Sequence, residues 1–247
     1  MAVICRGHRL LFIQAPRTGC TAIENLLGER FGGESLPTTD IIGPDGFVRV
    51  GRKHCTVRQL LAEGLLPADY SKQFTTVTSV RNPFDSLVSL YVKKRETYHG
   101  ERFLKDPNSW VHKTRGFVED MEFCRTHTFD EWLVKRYAVS TWDKLLRRGR
   151  RSLSGKYTEG VAVVMRFERL QEDFEAMMRG LGVRGDVTIP SINVTQQRRA
   201  RYQDYYTPAG RQLVEYVFQH ELERYGYSFD GLRDTRPVTQ ADMARAR

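Results

Sequence analysis

The chain has no apolar run approaching the roughly 20 residues of a membrane-spanning helix. Its N-terminus passes almost directly into a strand-like segment without the apolar region of a signal peptide. The expectation is therefore a cytoplasmic protein with no membrane span. Cysteine is scarce and scattered: Cys5, Cys20, Cys55 and Cys124 show neither the close pairs of a zinc site nor the density of a disulfide framework. That predicts no structural metal and a reduced compartment. Repeats and low-complexity tracts are also missing, which excludes solenoids and arrays.

What is present is positive charge. There are 39 Lys and Arg against 30 Asp and Glu, a formal net charge of +9 over 247 residues. An electropositive surface concentrates anionic partners, and nucleic acid, an acidic polysaccharide and a phosphorylated cofactor all qualify. Length and a 40% hydrophobic content suit one α/β domain. We place it at residues 1–230, with the polar residues 231–247 expected to fray.

The organising stretch runs from Leu10 to Leu27. An apolar run ends in Pro16-Arg17-Thr18-Gly19-Cys20-Thr21, and Ile23, Leu26, Leu27 and Phe31 then recur at helical spacing. This predicts a buried parallel strand, a tight loop turned by Gly19, and a helix. Such a loop aims free backbone N–H groups and the positive helix end at one point, which suits a phosphate. Arg17 adds a planar cation, and Thr18 and Thr21 add hydroxyls. The competing reading makes Thr21-Ala22-Ile23-Glu24 a capping box, with Thr21 serving only its own helix. A Walker A loop is excluded, because Gln14 stands five positions before Gly19 and no lysine follows it, which disfavours nucleoside triphosphate chemistry with magnesium.

Further along, Thr56 and Gln59 have capping-box spacing, which puts His54 just ahead of a helix. Phe74 to Val80 reads as a second strand. It ends at Arg81, and Asn82-Pro83 then starts a helix carrying Leu87, Val88, Ser89, Leu90 and Tyr91. Residues 93–127 lack a clear period and read as a long excursion of marginal secondary structure that carries recognition. Thr128 and Glu131 start another helix. Arg147, Arg148, Arg150 and Arg151 form a basic cluster whose simplest reading is a solvated turn. Gly160 to Phe167 is a third strand, Glu168 to Met178 a helix, Asn193 to Tyr206 a basic and aromatic loop, and Thr207-Pro208 the start of the last long helix.

Taken in order, these motifs resemble the PAPS-dependent sulfotransferases, in particular the branch of carbohydrate 2-O-sulfotransferases and their bacterial relatives (sulfotransferase family 2). Pro16 to Thr21 is similar to that family's 5′-phosphosulfate loop, usually Pro-Lys-Thr-Gly-Gly-Thr, and Phe74 to Tyr91 to its 3′-phosphate segment. Weaker similarities are Lys53-His54, Arg166-Phe167-Glu168 with Leu170, and Asp204 to Pro208 with Gly226 to Phe229. The resemblance implies a P-loop-like three-layer sandwich, a central mostly parallel sheet flanked by helices. It also implies transfer of a sulfuryl group from PAPS to an acceptor hydroxyl, most readily a carbohydrate's, by in-line displacement without a metal.

By the same resemblance, Arg17, Thr18, Gly19, Cys20, Thr21 and Ala22 would hold the 5′ end of the donor, with Arg81 and Ser89 on the 3′-phosphate and Arg198 also in contact. Two departures stand out: Arg17 replaces the usual lysine, and Cys20 the second glycine. Cys20 is expected to be an inert small residue. Arg17 would neutralise the leaving phosphate, and His54 is the candidate general base. Glu168 is the reserve base, although pairing with a nearby arginine is its simpler role, just as a surface position is the simpler role for a lone histidine. Asn193-Val194-Thr195 is formally a glycosylation sequon, and a glycan in that loop would obstruct the site. The rival readings are a P-loop kinase-like phosphotransferase and a non-catalytic heparin- or nucleic-acid-binding protein.

Overall fold

The computed structural model describes residues 2–190 and 200–233. Strand β1 (Ala2–Cys5) turns back through a 3-10 turn into β2 (Leu10–Ile13), and all eight residues of the two strands are buried. Helix α1 (Cys20–Phe31) and edge strand β3 (Glu34–Leu36) follow. A hairpin of β4 (Ile41–Ile42) and β5 (Val48–Val50) leads to α2 (Val57–Ala62) and α3 (Tyr70–Gln73). Strand β6 (Thr75–Val80) then feeds α4 (Pro83–Val92).

The second half is mainly helical: α5 (Glu101–Leu104), α6 (Phe117–Thr126), α7 (Phe129–Tyr137), α8 (Thr141–Leu145) and α9 (Gly155–Thr158) precede the last central strand, β7 (Val163–Arg166). After it come α10 (Leu170–Gly180), α11 (Pro208–Val217), α12 (Gln219–Tyr225) and a closing ladder of β8 (Tyr227–Ser228) with β9 (Gly231–Leu232).

The central sheet has the order β3-β1-β2-β6-β7, with β2, β6 and β7 parallel and β1 antiparallel to both neighbours. Side-chain alternation divides the core in two. Val3, Leu10, Phe12, Val77 and Met165 pack beneath α1 and α10, whereas Ile4, Leu11, Ile13, Val80 and Val164 face α2, α4, α7, α11 and α12. Both faces are covered, which is why the parallel strands are almost uniformly apolar. On α1, Ile23, Leu26 and Leu27 are buried, each contributing roughly 1.5–3 kcal/mol of transfer free energy.

The helix starts follow the sequence closely. Thr56 and Gln59 form a reciprocal capping box, as do Thr128 and Glu131, and Asn82 Oδ1 accepts from Phe84 N at 3.1 Å with Pro83 at the first helical position. The excursion at 93–127 is more regular than its sequence suggests. A π-helical turn (Lys93–Thr97) extends α4 and packs against the ten-residue α6. Its anchor is the buried carboxylate of Asp120, which accepts from Lys94 Nζ, from Trp132 Nε1 at 3.1 Å and from Arg136 Nη1 at 2.9 Å. These partners are distant in sequence, so local periodicity does not reveal them. Order at the C-terminal end reaches β9, past the point where fraying was expected to begin.

Candidate active site

The carboxyl ends of three adjacent parallel strands, β2, β6 and β7, supply the turns of the site, which is where ligands bind in α/β sheets. After β2, Ala15 to Gly19 make the tight loop. Gly19 caps α1 with φ 75°, and Arg17 also adopts a left-handed φ of 68°. For a non-glycine residue that is a strained backbone, of the kind found at ligand clamps. Space also requires glycine at position 19, because a Cβ there would lie 2.8 Å from Leu170 Cδ2 and 3.3 Å from the Phe167 ring.

The capping-box alternative fails. Helix α1 begins at Cys20, so Thr21 lies inside it, and no side chain caps its first amides. Those N–H groups and the positive helix end remain available to an anion. The Thr18 side chain and the Ala22 amide both have partners within the fold. The Thr18 hydroxyl is buried, donating to Ala15 O at 2.9 Å and accepting from Ser79 Oγ at 2.7 Å, so it shapes the loop from within. The Ala22 N–H is bonded to Gly19 O at 3.0 Å. Cys20 is buried, which pushes its thiol pKa up and keeps it protonated, as an inert residue should be.

The cations sort into two kinds. Arg81 is already engaged: Nε and Nη2 donate to Asp85 Oδ2 at 2.8 and 2.6 Å, Nη1 donates to Arg17 O at 3.0 Å, and its guanidinium lies 4.2 Å from the Phe167 ring centroid. It braces the strained loop through the carbonyl of Arg17. Arg17 instead reaches Ser89, donating from Nε at 3.1 Å and Nη2 at 2.5 Å to Oγ. Lys53 Nζ donates to Thr21 Oγ1 at 3.1 Å over the head of α1. Among the described residues neither Arg17 nor Lys53 forms a salt bridge, so two cations without a direct carboxylate partner meet at the loop. Lys53 could be singled out in the sequence only through its place beside His54.

His54 sits on a backbone with φ 69°, and its Nδ1 lies 3.1 Å from Gln14 O, the carbonyl at the root of the same loop. A carbonyl only accepts, so Nδ1 carries the proton and Nε2 keeps its lone pair. Burial, reinforced by the charges of Lys53 and Arg17, lowers the imidazole pKa to about 4. Desolvation is the dominant cause of that drop.

Glu168, the reserve base of the sequence reading, has both carboxylate oxygens engaged. Its Oε1 accepts from Asn82 N at 2.9 Å and its Oε2 from Tyr227 OH at 2.7 Å, so it ties the turn after β7 to the turn after β6. The expected arginine partner is absent among these contacts. The closing Gly226 to Phe229 segment supports the same turn from behind: Asn82 Nδ2 donates to Ser228 O at 2.8 Å, and Phe229 packs edge-on against Phe84 at 5.1 Å. Arg198 and the Asn193 sequon lie outside the described residues.

These turns open into a cleft of about 1630 Å³ that is lined in part by the 93–117 excursion, including Tyr98, Phe103, Trp110 and Phe117. Those four rings form a continuous edge-to-face cluster with centroid separations from 4.7 to 6.4 Å. Nine Lys or Arg and three carboxylates line the cleft. Among the described residues no group of His, Cys, Asp and Glu is arranged to hold a metal ion, and no helix is long and apolar enough to cross a membrane.

No curated protein matches the sequence. A solved structure of mouse sulfotransferase SULT7A1 complexed with PAP aligns with 85% of this chain and 83% of its own, at 14% identity and a TM-score of 0.41. The model of the sulfotransferase family matches residues 1–228, which takes in every turn of the site from Pro16 to Ser228. The chain belongs to the sulfotransferase family.

Proposed function

We propose that this sulfotransferase moves the sulfuryl group of PAPS to a hydroxyl of a carbohydrate acceptor by in-line displacement. The observation that carries the reading is the meeting of His54, with an unprotonated Nε2, and two cations without a salt bridge among the described residues, Arg17 and Lys53, at the open N-terminus of α1. The acceptor oxygen forms a bond to sulfur, the bond between sulfur and the 5′-phosphate oxygen breaks, and the acceptor proton passes to His54 Nε2. Charge grows on the departing 5′-phosphate, where the α1 amides, Thr21, Lys53 and Arg17 stabilise it. Ser89, held by Arg17, and the two N–H groups of Arg81 that Asp85 and Arg17 O leave unused serve the 3′-phosphate.

A carbohydrate acceptor is supported by the aromatic lining of the cleft, which suits a sugar ring, while the lysines and arginines there attract acidic substituents. Thermal melting with PAP, ATP and magnesium-ATP side by side tests the donor. PAP without metal should raise the melting temperature, by the equivalent of roughly 2.7 kcal/mol at 100 times its Kd. Stabilisation by magnesium-ATP alone would favour a phosphotransferase. Transfer of labelled sulfate from PAPS to oligosaccharides, compared with phenols, tests the acceptor.

A further inference from the structure

The arginine cluster after α8 does more than cover a turn. Trp142, Leu145 and Leu146 are exposed by 73%, 70% and 55%. Their spacing of i, i+3 and i+4 puts them on one side of the helix, the pattern that ordinarily faces a core. Here it faces water. The helix is nonetheless well built: Ser140 Oγ caps it by accepting from Asp143 N at 3.0 Å, and Tyr216 OH donates to Arg148 O at 2.9 Å, pinning the following turn to α11. Arg147, Arg148, Arg150 and Arg151 come next, and among the described residues none of them forms a salt bridge with a carboxylate.

We propose that α8 and this arginine turn dock the enzyme on the surface of an anionic phospholipid bilayer. Tryptophan and leucine on one side of a short helix suit the boundary between headgroups and acyl chains, and adjacent arginines suit anionic headgroups. Charge complementarity selects this occupant over a second copy of the chain, since a symmetric contact would bring together two copies of the exposed Arg147 and Arg148. The helix lies on the membrane and does not span it.

Co-sedimentation of the full chain with phosphatidylcholine vesicles, with and without 30% phosphatidylserine, tests the proposal. Binding should require phosphatidylserine and weaken with salt. It should fall about tenfold or more in Arg147→Glu/Arg148→Glu and likewise in Trp142→Ser/Leu145→Ser, both retaining the wild-type melting temperature. Saturating PAP should not release the protein, because the cleft is not the docking surface. No binding to anionic vesicles, equal binding by both variants, or release by PAP would overturn the proposal. So would a dimer in sedimentation equilibrium that Trp142→Ser dissociates, which would identify a second copy as the occupant.

Discussion

Arg17 donates two hydrogen bonds to one oxygen, Ser89 Oγ, from Nε at 3.1 Å and from Nη2 at 2.5 Å, across 72 positions of the chain. The contact joins the loop assigned to the 5′ end of the donor to the helix assigned to its 3′-phosphate. Ser89→Ala should therefore loosen Arg17 as well as remove a hydroxyl, lowering PAP affinity about five- to tenfold and turnover further, measured by calorimetry and by initial rates. Arg17→Ala should depress turnover more than PAPS binding, and Arg17→Lys, which cannot form the paired contact, should recover part of it. Equal losses of binding and turnover in Arg17→Ala would reduce Arg17 to a structural grip.

Arg81 braces the loop through Arg17 O and is proposed to contact phosphate as well; its pair with Asp85 lets the two tasks be separated. Arg81→Ala should weaken PAP binding about tenfold or more and also lower the melting temperature without ligand. Asp85→Asn, which leaves Arg81 in place but removes its counter-charge, should destabilise the fold while PAP affinity stays within about threefold of wild type. A larger loss of affinity there would mean that loop shape, and not the arginine charge, controls binding.

Lys53, whose Nζ lies 3.1 Å from Thr21 Oγ1, is proposed to stabilise the leaving phosphate. Replacing it with methionine keeps most of the stem and removes the charge. Turnover should fall about 10²-fold, in line with the loss of one preorganised donor to a developing oxyanion. Lys53→Arg should retain more activity than Lys53→Met. Wild-type turnover in Lys53→Met would leave Arg17 as the only cation at the reaction.

His54 predicts a pH dependence with a definite sign. Its pKa falls from the ordinary 6.5 to about 4 on folding, mainly through burial. Between those values the unfolded chain binds a proton that the folded one does not, so stability rises with pH through the window and is lost as pH falls through it. Discounted for the partly exposed ring, the effect is roughly 2 kcal/mol. Urea melts at pH 7 and 5 should show it for the wild type and not for His54→Gln. The same variant should lose turnover about 10²–10⁴-fold with little change in PAP affinity, and Glu168→Gln should instead lose stability, since its carboxylate joins Asn82 N to Tyr227 OH.

The sequence alone established the strand, loop and helix around Gly19, the caps at Thr56, Asn82 and Thr128, and the Arg81-Asn82-Pro83 turn, because strand burial, left-handed turns and helix caps are governed by neighbouring residues. Three of the four buried strands of the central sheet, β2, β6 and β7, were legible for the same reason. The first strand was not read apart from β2, since only its antiparallel pairing distinguishes two short apolar strands from one apolar beginning. Tertiary structure alone decided which groups meet. It turned the Thr18 hydroxyl inward onto Ser79, gave Glu168 to Tyr227, and brought Lys53 over Thr21 and Arg17 onto Ser89. Each of these contacts depends on where a charged or hydroxyl side chain finds a partner once water is removed. Most of those partners lie dozens of residues away, at a separation that no local periodicity records.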